Sequence, residues 1–150
     1  MILIKNTQRS VSLDIERMRN DAQRILEILK YPDFDLGIWF ASEATIRTYN
    51  RDYRQKDKVT DILSFPFHTE LKAGDRIKAT DPDDKNIGDI IMAPKYIFED
   101  PKKLGGTFEE RMQLLLVHGI CHLLGYDHET DADFRRMRLK ESFLLKKLRA

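Results

Sequence analysis

With 150 residues, 41% of them hydrophobic and 34% charged, the chain has the size and balance of one soluble globular domain, residues 1–150, rather than two. Its longest apolar run is far too short to span a bilayer, and the opening MILIKN lacks the basic, long-apolar and small-residue regions of a signal peptide, so neither membrane anchorage nor secretion is expected. A net charge of +1 removes any global electrostatic case for nucleic acid, and the single cysteine, Cys121, excludes an internal disulfide and fits a reducing compartment, a bacterial cytosol or an organelle matrix.

The chain opens with a short run around Ile2 and Ile4 that reads as a strand. Ser12 is placed to cap a helix running to about Lys30, whose apolar positions Ile15, Met18, Ala22, Ile25, Leu26 and Leu29 recur at spacings of three and four. Tyr31 and Pro32 stop it. Residues 36–41 read as a central strand, and Ser42 caps a short helix through Ile46 and Tyr49. Residues 61–67 form another strand, followed by a charged loop over 74–85, expected to be mobile. A last strand spans 87–93, and Pro94 begins a helix containing Tyr96, Ile97 and Phe98. After Gly105 and Gly106, Thr107 and Glu110 form a capping box for a long helix that Gly125 ends. Thr130 and Asp133 repeat the signal for a final helix, whose basic stretch over 135–149 reads as a solvated face. The order predicts an α+β single domain in which a mixed sheet of about four strands is packed with helices, with a metal site at the end of the long helix.

Three of the four histidines fall within HGICHLLGYDH, at His118, His122 and His128. Residues four apart on a helix differ by about 40° in direction and about 6 Å in rise, so two imidazoles can reach one zinc ion at about 2.0–2.1 Å. In a continued helix His128 would point roughly 100° away from that pair. Gly125 supplies the left-handed turn that brings it back. Three nitrogen ligands leave a fourth position open, the form of a catalytic zinc site; the zinc would be structural only if an acidic side chain or Cys121, three residues after His118, closed that position. The spacing equals that of the metzincin proteases, HExxHxxGxxH, but Gly119 stands where their glutamate general base belongs. Peptide hydrolysis is thereby disfavoured. Phosphodiester cleavage depends chiefly on stabilising charge on phosphoryl oxygens, which a metal and a guanidinium can do.

Taken with two further blocks, these residues resemble the YbeY endoribonucleases. HGICHLLGYDH is similar to that family's HGxxHLxGYDH zinc motif, NRDYRQKDKVTDILSFPF to its NxxYRxxDxxTDVLSFPF segment, and IGDIIMA to its GDI strand. The resemblance implies a single-domain zinc protein with His118, His122 and His128 as ligands and Arg54 as the functional arginine. It also implies cleavage of single-stranded RNA in ribosomal RNA maturation and quality control, with ribosomal RNA precursors, the small ribosomal subunit or its assembly factors as cytoplasmic partners, and neither DNA nor a membrane. Gln55 departs from the glycine usual after that arginine, a change that bears on the loop's conformation. Ser64 and Asp89 are candidates for lining the pocket, and Asp127 for orienting His128 or holding its turn; His68 reads as a surface histidine. The alternatives are a zinc-containing ribosome-assembly or partner-binding factor with little nuclease activity, a metalloprotease, and a small-molecule hydrolase.

Overall fold

The computed structural model describes residues 1–150 as a four-stranded sheet and five helices. Strands β1 (Ile2–Asn6), β2 (Asp35–Phe40), β3 (Ile62–Pro66) and β4 (Asn86–Met92) lie in the order β1-β2-β4-β3. β1 pairs parallel with β2 and β2 parallel with β4, whereas β3 runs antiparallel to β4, so the sheet is mixed as expected. The helices are α1 (Ile15–Ile28), α2 (Glu43–Arg54), α3 (Pro94–Glu99), α4 (Phe108–Leu123) and α5 (Asp131–Leu148). None is long and apolar enough to cross a membrane.

Alternation along the strands divides the molecule into two unequal layers. Leu36, Ile38 and Phe40 of β2 and Ile87, Ile90 and Met92 of β4 point into the larger core, where they meet Met18, Ala22, Ile25 and Leu26 of α1 and Leu116, Ile120 and Leu123 of α4. Met137 and Leu144 of α5 close this side. On the other face a smaller cluster of Ala41, Ile46, Leu63, Ile91 and Ala93 receives α2. The long helix α4 carries buried residues over most of its circumference. A helix apolar on nearly all sides belongs at the centre of a domain.

Several boundaries differ from the sequence reading for local reasons. Asp14 rather than Ser12 caps α1, accepting from the Arg17 N–H at 3.1 Å. Helix α2 continues past Tyr49 to Arg54, which places that arginine on a last helical turn instead of in a loop. The charged loop expected to be mobile is anchored: Arg76 donates to the carbonyls of Leu29 and Lys30 at the end of α1, at 2.7 and 3.0 Å. Its guanidinium also covers the Tyr31 ring at 4.0 Å. The chain between α3 and α4 is held by Arg111, a buried cation that donates to the carbonyls of Ile97, Phe98 and Gly106 at 3.0, 3.0 and 2.7 Å. Carbonyl dipoles meet its hydrogen-bonding needs without a carboxylate.

Gln55 closes α2 in the left-handed region, at φ 59° and ψ 33°, with its N–H directed at the Asn50 and Arg51 carbonyls. A side chain in this conformation is strained relative to glycine. Gln55→Gly is therefore expected to stabilise the protein by about 0.5–1 kcal/mol in urea denaturation.

Candidate metal centre

Helix α4 presents His118 and His122 on one face, their Nε2 atoms 3.0 Å apart. His128 joins them because Gly125 adopts φ 92° and turns the chain. The Gly125 N–H donates to the His122 carbonyl at 3.0 Å, and the Tyr126 N–H reaches back to the Cys121 carbonyl at 3.1 Å. A Cβ at position 125 would lie 2.3 Å from the Leu71 carbonyl oxygen, so glycine is required for space as well as for φ. One nitrogen from each of the three rings lies within 4.8 Å of the others.

The donor set suits a metal ion. A carbonyl oxygen can only accept, so the contact of 2.9 Å between His122 Nδ1 and the Tyr126 carbonyl puts the proton on Nδ1 and leaves a lone pair on Nε2. Burial, helped by the neighbouring His118, pulls the His122 pKa down to about 4, so the ring is neutral at physiological pH. Nitrogens each about 2.0–2.1 Å from one tetrahedral ion lie roughly 3.3–3.4 Å apart, close to the separation of the His118 and His122 nitrogens. Glu141 of α5 stands behind the site, with Oε2 2.7 Å from His118 Nδ1.

The histidines open into a cleft of about 600 Å³ that is also lined by Arg54, Thr60, Asp61, Ser64 and Lys102. Arg54 is exposed and makes no ion pair or hydrogen bond, unlike its neighbours on α2. Arg47 is held by Asp57 at 2.9 Å and Arg51 by Asp52 at 3.0 Å. Of the basic residues on α2, Arg54 is thus the one left available to a ligand. Lys102 is tethered by Asp61, whose carboxylate is largely buried, at 3.2 Å.

The remaining candidates separate. Ser64 lines the cleft and its hydroxyl donates to the Gly119 carbonyl at 3.3 Å. Asp89 does not belong to this site: it lies on the other face of the sheet, in an aromatic-walled concavity with Trp39, Tyr49, Tyr53 and Phe65. There the bare Gly37 leaves space for its carboxylate, since a Cβ at 37 would stand 2.1 Å from Asp89 Oδ1. Cys121 is fully buried outside the histidine cluster, and burial pushes its thiol up to about 12, so it is a core residue. Asp127 serves the turn, accepting from the Glu129 N–H at 3.3 Å. His68 Nε2 binds the Asp84 carbonyl at 2.8 Å, away from the cluster.

The structure also explains Gly119. A Cβ there would meet Ile62 Cδ1 at 2.7 Å, Ile90 Cδ1 at 3.0 Å and Ser64 Oγ at 3.2 Å. Any side chain at this position would require Ile62, Ile90 and Ser64 to shift. Sequence reasoning missed Glu141, Asp61 and Lys102, because only the tertiary fold brings them to the site.

Two outcomes test this geometry. Gly125→Ala should displace His128 and destabilise the fold by about 1–3 kcal/mol, with near-complete loss of metal binding, as read by denaturation and metal titration. His122 holds its proton less tightly folded, at about 4, than unfolded, at 6.5, so below pH 6.5 the unfolded chain binds more protons. Metal-stripped protein should therefore lose stability as pH falls from about 6.5 towards 4, and His122→Asn should lose less over the same window.

Known proteins resemble this chain over nearly its whole length. The family model described as Endoribonuclease YbeY matches residues 3–149. The human protein named Endoribonuclease YbeY is 37% identical over 147 residues, covering 98% of this chain and 87% of that protein. Its namesake from Syntrophotalea carbinolica is 35% identical over 151 residues, covering 99% and 96%. Among solved structures, the solution structure of TM1509 from Thermotoga maritima superposes with a TM-score of 0.64 at 26% identity, covering 99% of this chain and 89% of that one. With the family model spanning nearly the whole chain and relatives above 30% identity matched almost end to end, the chain belongs to the YbeY endoribonuclease family.

Proposed function

We propose that this protein is a zinc-dependent, single-strand-specific endoribonuclease that acts on ribosomal RNA precursors in the cytoplasm, in maturation and quality control of the small ribosomal subunit. The observation that carries this reading is the convergence of three imidazoles in a cleft that also holds an unpaired guanidinium. Family membership supports an RNA substrate, and the donor set supports zinc.

His118, His122 and His128 hold the ion through ring nitrogens, His122 kept neutral and in one tautomer by burial and by the Tyr126 carbonyl. When bound, zinc supplies Lewis-acid stabilisation of charge on a phosphoryl oxygen and eases deprotonation of a water. Arg54 presents a planar fork of N–H donors suited to two oxygens of one phosphate. Because it spends none of these donors within the protein, it can follow the charge that develops on the phosphate during cleavage. Lys102, fixed by Asp61, adds positive potential to the cleft wall. At about 600 Å³ the cleft is of a size to take a short stretch of a single strand, far smaller than a duplex.

A protease needs a proton acceptor beside the histidines, and Gly119 supplies none at the usual position. The metal-assisted phosphodiester reading does not need it there.

Zinc-loaded protein should cleave single-stranded RNA in a discontinuous gel assay. His118→Ala should lose both metal and cleavage. Arg54→Ala should keep the metal and lose roughly 10²–10³-fold in cleavage rate. Undiminished cleavage by both variants contradicts the mechanism. Activity that fails to track the protein through purification favours an assembly factor with little nuclease activity.

A further inference from the structure

Helix α5 packs on α4 through a stripe of buried positions, Met137, Glu141 and Leu144, at spacings of four and three. At such spacings a core-facing stripe is normally apolar throughout. Glu141 interrupts it at its centre and is only 7% exposed. Burying a carboxylate is costly unless a partner compensates it. No lysine or arginine pairs with Glu141; its partner is the His118 ring, with Oε2 2.7 Å from Nδ1. Nothing about packing α5 calls for an acid here, because leucine fits the same stripe. The geometry instead matches the carboxylate–histidine pairs that orient metal ligands.

We infer that Glu141 is a positioning residue: by accepting the His118 Nδ1–H it fixes that ring with Nε2 turned towards the His122 and His128 nitrogens, so that metal binding and docking of α5 stabilise each other. This rests on the metal reading above. His122 already has its orienting acceptor in the Tyr126 carbonyl, supplied by the turn that follows α4. His118 sits a full helical turn further back, where the turn does not reach, and its acceptor comes from a different helix 23 residues along the chain. Ion binding thereby ties together α4, the turn and α5. By reciprocity, docking of α5 raises metal affinity by the same factor as metal binding raises the docking of α5.

The test uses the full chain with Glu141→Leu, which fills the stripe without an acceptor, and Glu141→Gln, which keeps a neutral acceptor of nearly equal shape. Zinc affinity is read by competition with a chromogenic chelator, and the denaturation midpoint is read on metal-stripped protein. Glu141→Leu should weaken zinc binding by roughly 10–100-fold and Glu141→Gln by less. Metal-stripped Glu141→Leu should lose less stability than it loses in zinc-binding free energy, because removing the buried carboxylate offsets the His118 N–H left without its acceptor. If the leucine variant does not fold, the glutamine variant decides, and it must bind zinc measurably more weakly. Unchanged affinity in a parent that binds zinc, or an affinity loss matched by an equal loss of metal-free stability, overturns the role of Glu141. A parent that binds no zinc overturns the metal centre itself.

Discussion

The candidate site depends on how closely α4 lies against β3 and β4. At Gly119 the helix has no side chain, and the Cβ that any other residue would add meets Ile62, Ile90 and Ser64. This contact lets α4 lie close on the sheet, while the adjoining stripe with His118 and His122 faces the cleft. It also removes the one helical position from which a protease of this spacing draws its base. One close packing contact thus acts on both structure and chemistry.

A second constraint follows from the first. Residues so near a packed core are partly stripped of water, and burial favours a neutral imidazole. His122 in such surroundings offers a lone pair rather than a charge, and the Tyr126 carbonyl decides which of its nitrogens carries the proton. The surrounding cations divide in a way that suits an anionic polymer: Arg47 and Arg51 are neutralised by aspartates, Lys102 is tethered, and Arg54 is left unpaired. The net charge of +1 conceals this local arrangement. Charge count speaks to non-specific attraction, whereas pairing decides which cation can reach a phosphate.

The elements carried by local signals were legible in the sequence. The capping box at Thr107 and Glu110, the Pro94 helix start, the spacing of His118 and His122 and the Gly125 turn each rest on residues a few positions apart. The mixed sheet followed from alternating strands and helices, although its β1-β2-β4-β3 order did not. Features joining distant segments were hidden. Glu141 lies on another helix from His118, Arg76 fastens its loop to the end of α1, and Asp89 proves to face away from the histidines once the pleat of β4 is known. Gln55 marks a boundary case: the positive φ expected of glycine is present although the glycine is not.

The most direct test of the central claim is cleavage of a single-stranded RNA by metal-stripped protein titrated with zinc. Three histidines serving one ion predict that the initial rate rises linearly and breaks at one zinc per chain. Full activity without added metal, or a rate that ignores the zinc-to-protein ratio, would contradict the account.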